Sequence, residues 1–499
     1  MAGRVNPYIG PRPFESGQTL FGRERETRDL LRLVSSERIV LLYSPSGAGK
    51  TSLVQAALVP ELQKKFHVLP VIRVNRPLNP ALPANRPLNP ALPANTPLDP
   101  ALPADANRYL ASLFASLEKD RATEGKRDSL TRLLDAGLPA YLQSRAEALG
   151  ARPRWLLIFD QFEEIVTLSP ADREAKREFF RQVGETLEDP RVWALFALRE
   201  DYVAALDPYR DLIPNQLAAT FRLDLLGADA AQQAVQRPTL AQDVTFSDEA
   251  ARQLVNDLRQ IQVQQPDGSF KPDYGPHVEP VQLQVVCYRL WEALPPGAHS
   301  ITPENLSAVG NVDEALAAYY AANVKIAADK TGVPERAIRD WVGEQLITRR
   351  GLRGQVLQGQ DVSEGLPNHA IAALIDAYLV REEKRRATWY ELAHDRLIEP
   401  VRKDNARWSD TRLNDLQRKA ALWAHGDKPD GLLLTGPALS FADHWAKGED
   451  VANWVPQQEF GGVAQTYANT PTLGKTPELT PTEREFLAES WKAQKAFEK

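Results

Sequence analysis

The segment SPSGAGKT, Ser44 to Thr51, stands between an apolar run, IVLLY, and a helical pattern, TSLVQAAL. Glycines at this spacing let a backbone turn its N–H groups inward at the positive end of a helix, an arrangement that suits a phosphate anion. Ser46, Gly47, Ala48, Gly49, Lys50, Thr51 and Ser52 are therefore read as a phosphate cradle. Lys50 is placed to contact the β- and γ-phosphates, and the Thr51 hydroxyl to ligate magnesium. Such loops usually open on glycine, whereas this one opens on Ser44, a small residue.

An acidic run, WLLIFDQFEE, supplies the second set of groups. Asp160 ends its apolar strand pattern, where a carboxylate can hold the hydration shell of magnesium. Glu163 and Glu164 fall within reach of the same crevice, and one of them would orient or deprotonate an attacking water, with Glu164 placed ahead of Glu163. The plainer reading of this run is a helix N-terminus that favours acids. Arg199 ends the run VWALFAL. A guanidinium there can reach a γ-phosphate and report its presence; its plainer reading is an ion pair with Glu200 or Asp201.

The elements that must hold these groups are legible as alternation. IVLLY, VLPVIRV (Val68 to Val74), WLLIF, VWALFAL and FRLDLL (from Phe221) are separated by helical patterns, which predicts a parallel α/β sheet. RPLNPALPAN occurs at 76–85, again at 86–95 and in altered form at 96–105. Its prolines exclude helix and central strand, so an extended surface insertion is expected. The pattern is mostly helical from Ser247 to about Val324, with a turn-rich interruption, QPDGSFKPDYGPHVEP. YLVREEKRRATWYELAHD reads as a hairpin with its tip near Lys384, which suggests a winged helix. After Arg407 the chain is helical and tryptophan-rich, and Thr480, Pro481 and Glu483 form a capping-box signature. The last helix turns Phe486, Leu487, Trp491 and Phe497 to one side, a face that a partner or further chain would cover.

Bulk properties narrow the rest. At 499 residues, 43% hydrophobic and 25% charged, the chain is long enough for several folded domains. A net charge of -6 gives no overall footprint for nucleic acid. Cys287 is the sole cysteine, so neither an intrachain disulfide nor a cysteine zinc site is available. The seven histidines lack helical metal-ligand spacing, which leaves nucleotide-borne Mg2+ as the one metal expected. MAGRVNPYIGPRPF has no signal-like apolar stretch, and apolar runs such as Ile371 to Val380 are far shorter than the roughly 20 residues of a membrane helix. A cytoplasmic protein without a membrane partner is expected.

NPYIGPRPF with LFGRERE, SPSGAGKT, DQFEE, LRED, VEPVQLQVVCYRLWE and ELAHDRL together resemble the STAND class of signal-transduction ATPases, related to the NLR and AP-ATPase proteins, and in particular its bacterial novel-STAND branch. The resemblance spans essentially the whole chain. It implies base-side contacts from Phe21, Gly22 and Arg23, a lid proline at Pro238 and a winged-helix histidine, His394, that touches the β-phosphate of ADP. It implies ATP/ADP as the nucleotide, and no NKxD guanine-reading motif is present. The expected architecture is α/β plus α: an ASCE/AAA+-like P-loop domain over 1–245 with the 76–105 insertion, a helical lid over 246–328, a winged helix over 329–404 and a C-terminal helical domain over 405–499.

The implied activity is a switch, locked by ADP, opened by ATP into a self-assembling form and reset by slow hydrolysis, in bacterial defence or regulation. An effector or sensor protein partner is expected, since the chain carries no nuclease, protease or NAD-cleaving signature. Two alternatives stand beside it. One is an origin-recognition-like AAA+ ATPase that grips DNA through Arg349, Arg350, Arg353, Lys384, Arg385 and Arg386, although Glu382 and Glu383 adjoin the second cluster. The other is a scaffold that binds ATP without turnover.

Overall fold

Alternating β-branched and leucine-rich runs, buried on both faces, are what a central parallel sheet requires. The computed structural model describes residues 5–74, 106–119, 130–167, 172–264, 270–295, 297–309, 312–348, 351–384, 387–425, 428–448 and 479–497. The repeat insertion therefore lies outside the described residues. The chain forms two compact units, Met1–Pro400 and Val401–Lys499.

In the first unit, α1 (Glu24–Ser36) leads to β1 (Ile39–Ser44), and the phosphate loop then enters α2 (Lys50–Ser52), which continues through a π-helical stretch, Leu53–Leu58. β2 (His67–Val68), α3 (Arg108–Leu117), β3 (Trp155–Phe159), α4 (Arg173–Glu188), β4 (Val192–Arg199) and β5 (Thr220–Arg222) follow. The five strands are parallel in the order β2-β3-β4-β1-β5. The fold is thus the expected α/β P-loop architecture. Because β4 lies between β1 and β3, Ser44 pairs with Arg199 and Phe159 with Phe196, which brings three carboxyl ends to one crevice. Leu41, Leu157, Phe159 and Phe196 bury one face against α3 and α4. Val40, Leu42, Ile158 and Leu195 bury the other against Leu30 and Val34 of α1. Phe159 and Phe196 stack with centroids 4.6 Å apart.

The strand expected over Val68 to Val74 is interrupted: after β2 only an isolated bridge, Ile72 to Phe159, rejoins the sheet. Pro70 lies in the gap and has no N–H for the ladder.

α5 (Ala228–Leu240) and α6 (Asp248–Arg259) come next, and an antiparallel hairpin follows, with β6 (Gln260–Gln264) just before the turn-rich segment, where helix was expected, and β7 (Phe270–Tyr274) within it. The alternating Gln-Ile-Gln-Val-Gln of β6 is a strand pattern that the prolines downstream obscured. α7 (Pro280–Glu292) and α8 (Val312–Thr331) precede a three-stranded sheet of β8 (Val356–Leu357), β9 (Val380–Lys384) and β10 (Thr388–Leu392) in the order β8-β10-β9. β9 and β10 are the expected hairpin, paired from Val380–Leu392 to Lys384–Thr388.

The second unit packs α9 (Asp415–His425), α10 (Gly436–Ala446) and α11 (Pro481–Phe497) around Trp423, Phe441, Trp445 and Phe486. The capping box closes as the sequence predicts: Thr480 N–H donates to Glu483 at 2.8 Å and Glu483 N–H to the Thr480 hydroxyl at 3.2 Å. The Phe486, Leu487 and Trp491 face is covered from within the unit, contrary to expectation, because α9 and α10 turn their own apolar faces onto it. Phe497's side chain and Trp454 lie outside the described residues. Among the described residues no helix is long and apolar enough to cross a membrane.

Candidate nucleotide site

The loop between β1 and α2 turns at Gly47 (φ 79°) and Gly49 (φ 89°), both in the left-handed region where a side chain is costly. Lys50 Nζ donates to Ser44 Oγ at 2.7 Å, and Ser44 in turn donates to the Pro45 carbonyl at 2.7 Å. The departure from glycine thus gives the lysine a resting partner. Burial lowers the Lys50 pKa, against the opposing pull of Glu163 and Asp160. The Thr51 hydroxyl lies 3.2 and 3.1 Å from the two carboxylate oxygens of Asp160, which is 2% exposed.

Beyond Asp160 the chain reverses through Gln161, held at φ 54°. This turn sends Glu163 back to the crevice, where its carboxylate accepts the Arg199 N–H at 3.3 Å. Burial raises the Glu163 pKa, and Lys50 opposes the rise. Glu164 opens the short helix Glu164–Thr167. Arg199 is held by Asp201 at 2.7 Å, the partner its plainer reading named, and by Glu383 of β9 at 3.0 Å. Tyr202 donates to the other Glu383 oxygen at 3.0 Å, and burial together with that charge pushes its phenol up to about 12. Arg73, absent from the sequence expectations, reaches Asp160 at 3.3 Å.

On the far side of the loop a cavity of about 50 Å3 is lined by Phe21, Arg23, Ala48, Gly49, Ser52 and Pro238, with Phe14, Pro280, Leu283 and Gln284 closing it. A wider groove of about 820 Å3 along α1 holds no phosphate-loop residue, so the smaller cavity, which adjoins the chemistry, is the relevant one. Gly22 sits at φ 80°, and a Cβ there would stand 2.3 Å from the Ala230 carbonyl, so α5 approaches too closely for any other residue. Arg23 lines the cavity, yet its guanidinium donates to the Ala48 carbonyl at 2.9 Å and the Asp224 carbonyl at 2.7 Å. The segment before it acts as a strap: Tyr8 donates to the Val235 carbonyl, Ile9 N–H to Gln284 and Phe14 N–H to Ser52.

His394, just after β10, comes to the same loop. Its Cε1 lies 3.5 Å from where a Cβ on Gly47 would stand, and its Nδ1 pairs with Glu279. Burial works against the Glu279 charge, but His394, Arg353 and Gln282 hold its carboxyl below the usual range. Of the basic clusters, Arg353 is engaged by Glu391 at 3.7 Å. Arg349, Arg350, Arg385 and Arg386 lie outside the described residues, as does the Lys384 side chain.

The structure therefore gathers Lys50, Thr51, Asp160, Glu163 and Arg199 at one crevice and Phe21, Pro238 and Ser52 at an adjoining cavity. Ser46, Gly47 and Ala48 form the loop between them. Glu383 and Arg73 had no local motif to mark them, and Glu279 lies in the quoted VEPVQLQVVCYRLWE but was assigned no role there. The donor set fits a magnesium-bound nucleotide: hydroxyl and carboxylate oxygens converge as a hard cation requires, and a Cβ on Gly49 would meet nothing within 4 Å, so the loop is open where phosphates would enter.

A parallel sheet with β4 between β1 and β3, a glycine-turned loop after β1 and a buried acid after β3 define a nucleotide-binding P-loop ATPase fold. The chain belongs to the Novel STAND NTPase 1 family, whose pattern matches residues 7–430. No curated protein matches it. Among solved structures it is similar to the Walker-type ATPase paby2304 of Pyrococcus abyssi, at 14% identity and a TM-score of 0.40 over 80% of this chain and 100% of that one. It is also similar to the Aeropyrum pernix ORC2 protein in ADPNP-ADP complexes, at 15% identity and a TM-score of 0.37 over 79% and 98%. The Aeropyrum pernix ORC1 protein in complex with DNA is similar at 12% identity and a TM-score of 0.35 over 78% and 93%. Likenesses this distant carry no functional argument.

Proposed function

We propose that this chain is an ATP-dependent switch whose winged helix, residues 329–404, closes over the phosphate end of the nucleotide that the P-loop domain, 1–245, and helical lid, 246–328, enclose. The observation that carries this reading is the double reach of that C-terminal element: His394 stands against Gly47, and Glu383 holds Arg199. His394 contacts the β-phosphate of ADP and stabilises the closed form. Lys50 and Arg199 engage a γ-phosphate, contacts that ADP cannot make, and only such differential contacts shift a conformational equilibrium. Arg199 must leave Glu383 to do so, which loosens the closure.

Thr51 and Asp160 would hold Mg2+, which when bound neutralises charge on the phosphates. Glu163 is favoured over Glu164 as the group that takes the proton of the attacking water, because it lies among Lys50, Asp160 and Arg199. Hydrolysis is slow and resets the switch. The open form self-assembles and signals through an effector or sensor partner in defence or regulation.

Light scattering on the purified chain tests this directly. A larger mass with a non-hydrolysable ATP analogue than with ADP, abolished by Lys50→Ala, is the expected result. One mass in both nucleotides, with a candidate partner present, would count decisively against the switch. A DNA-gripping ATPase would instead show salt-dependent DNA binding.

A further inference from the structure

Glu279 immediately precedes α7 but does not cap it with its side chain. Its carboxylate turns away, accepting from His394 Nδ1 and from Gln282 Nε2 at 3.1 Å. The next residue, Pro280, lines the base-side cavity with Leu283 and Gln284. A single backbone step thus joins the cavity wall to the carboxylate that holds the imidazole beside Gly47. When one ring nitrogen donates to a carboxylate, the ring plane is fixed and the opposite nitrogen is left for a second partner. His394 presents its Cε1 edge to the phosphate loop, and Nε2 adjoins that edge.

We infer that Glu279 is a positioning residue for nucleotide recognition: it holds His394 with the Nε2 edge toward a bound diphosphate and couples the seating of the base against Pro280 to that contact. The inference rests on His394 acting as the ADP lock and identifies what makes the lock rigid. It also accounts for a half-buried carboxylate that forgoes its own helix N-terminus, where capping would otherwise be favourable.

The test titrates ADP and a non-hydrolysable ATP analogue by calorimetry into full-length wild type, His394→Ala, Glu279→Ala, Glu279→Gln and the His394→Ala, Glu279→Ala double variant. Nitrogen NMR of the His394 ring is recorded in parallel. Loss of a charge-assisted hydrogen bond is expected to weaken ADP about tenfold in each alanine variant, with the ATP analogue changed much less. The double variant should bind ADP no worse than His394→Ala alone, since the glutamate acts through the ring. Glu279→Gln keeps an acceptor and the fold, so it should fall between, while Glu279→Ala loses the signature of a donating Nδ1–H. Unchanged ADP affinity in Glu279→Ala beside a weakened His394→Ala overturns this inference and leaves the lock intact. Equal losses for both nucleotides, or additive losses in the double variant, also overturn it. An unaffected His394→Ala removes the lock itself.

Discussion

At the scale of single residues, Lys50 carries a half-buried ammonium and rests on a hydroxyl that most phosphate loops lack. Lys50→Met is expected to leave the nucleotide-free protein as stable as before or slightly more so, because a desolvated charge is removed. Thermal melting checks this: the midpoint should hold while its upward shift with ADP disappears. Glu163 gives a pH prediction. Burial raises its folded-state pKa, so its contribution to stability is complete below the ordinary carboxylate value and is lost as pH rises through the raised one. Glu163→Gln should flatten that segment of a urea-unfolding profile taken from about pH 4 to about pH 8, and in single-turnover assays slow hydrolysis by roughly 100-fold or more. Lys50, Thr51 and Asp160 were legible in the sequence because each sits in a motif contiguous with the strand that places it. Glu279 and Glu383 were not, since each is defined by a partner more than a hundred residues away. The sequence reading placed Glu164 ahead of Glu163 in DQFEE, whereas the left-handed turn at Gln161 sends Glu163 back, where it accepts the Arg199 N–H.

Among elements, the parallel sheet was readable from buried hydrophobic runs, yet the interruption at Pro70 and the β6–β7 hairpin were hidden by competing proline and turn signals. The contact of β9 with the end of β4 has a consequence that can be measured. A hydrogen bond to a charged group contributes about 1.5–3 kcal/mol, so Glu383→Gln is expected to raise the affinity for a non-hydrolysable ATP analogue relative to ADP by about tenfold. Calorimetry with both nucleotides reads this, and an unchanged ratio would mean that Arg199 does not report the γ-phosphate. Where α5 meets the loop before α1, Gly22→Ala combines a left-handed backbone with a 2.3 Å approach to a carbonyl. The expected loss is about 3 kcal/mol or more by denaturant unfolding.

For the whole molecule, the first unit draws residues from its first to its last hundred into one crevice, a long-range assembly that length and composition do not announce. The proline-rich repeat enters the first unit through Arg73, whose N–H donates to Ser116 and whose carbonyl accepts from Ser112, both on the helix that follows the insertion. Entry and exit are therefore stitched together at their base. Closing a chain segment depends only logarithmically on its length, so removing one of three units changes stability by about 0.3 kcal/mol. Deleting 86–95 should leave the melting midpoint and ADP affinity within error of wild type. Replication slippage in this stretch of coding sequence would then be silent for folding, and copy number would drift or be selected without disturbing the nucleotide machinery.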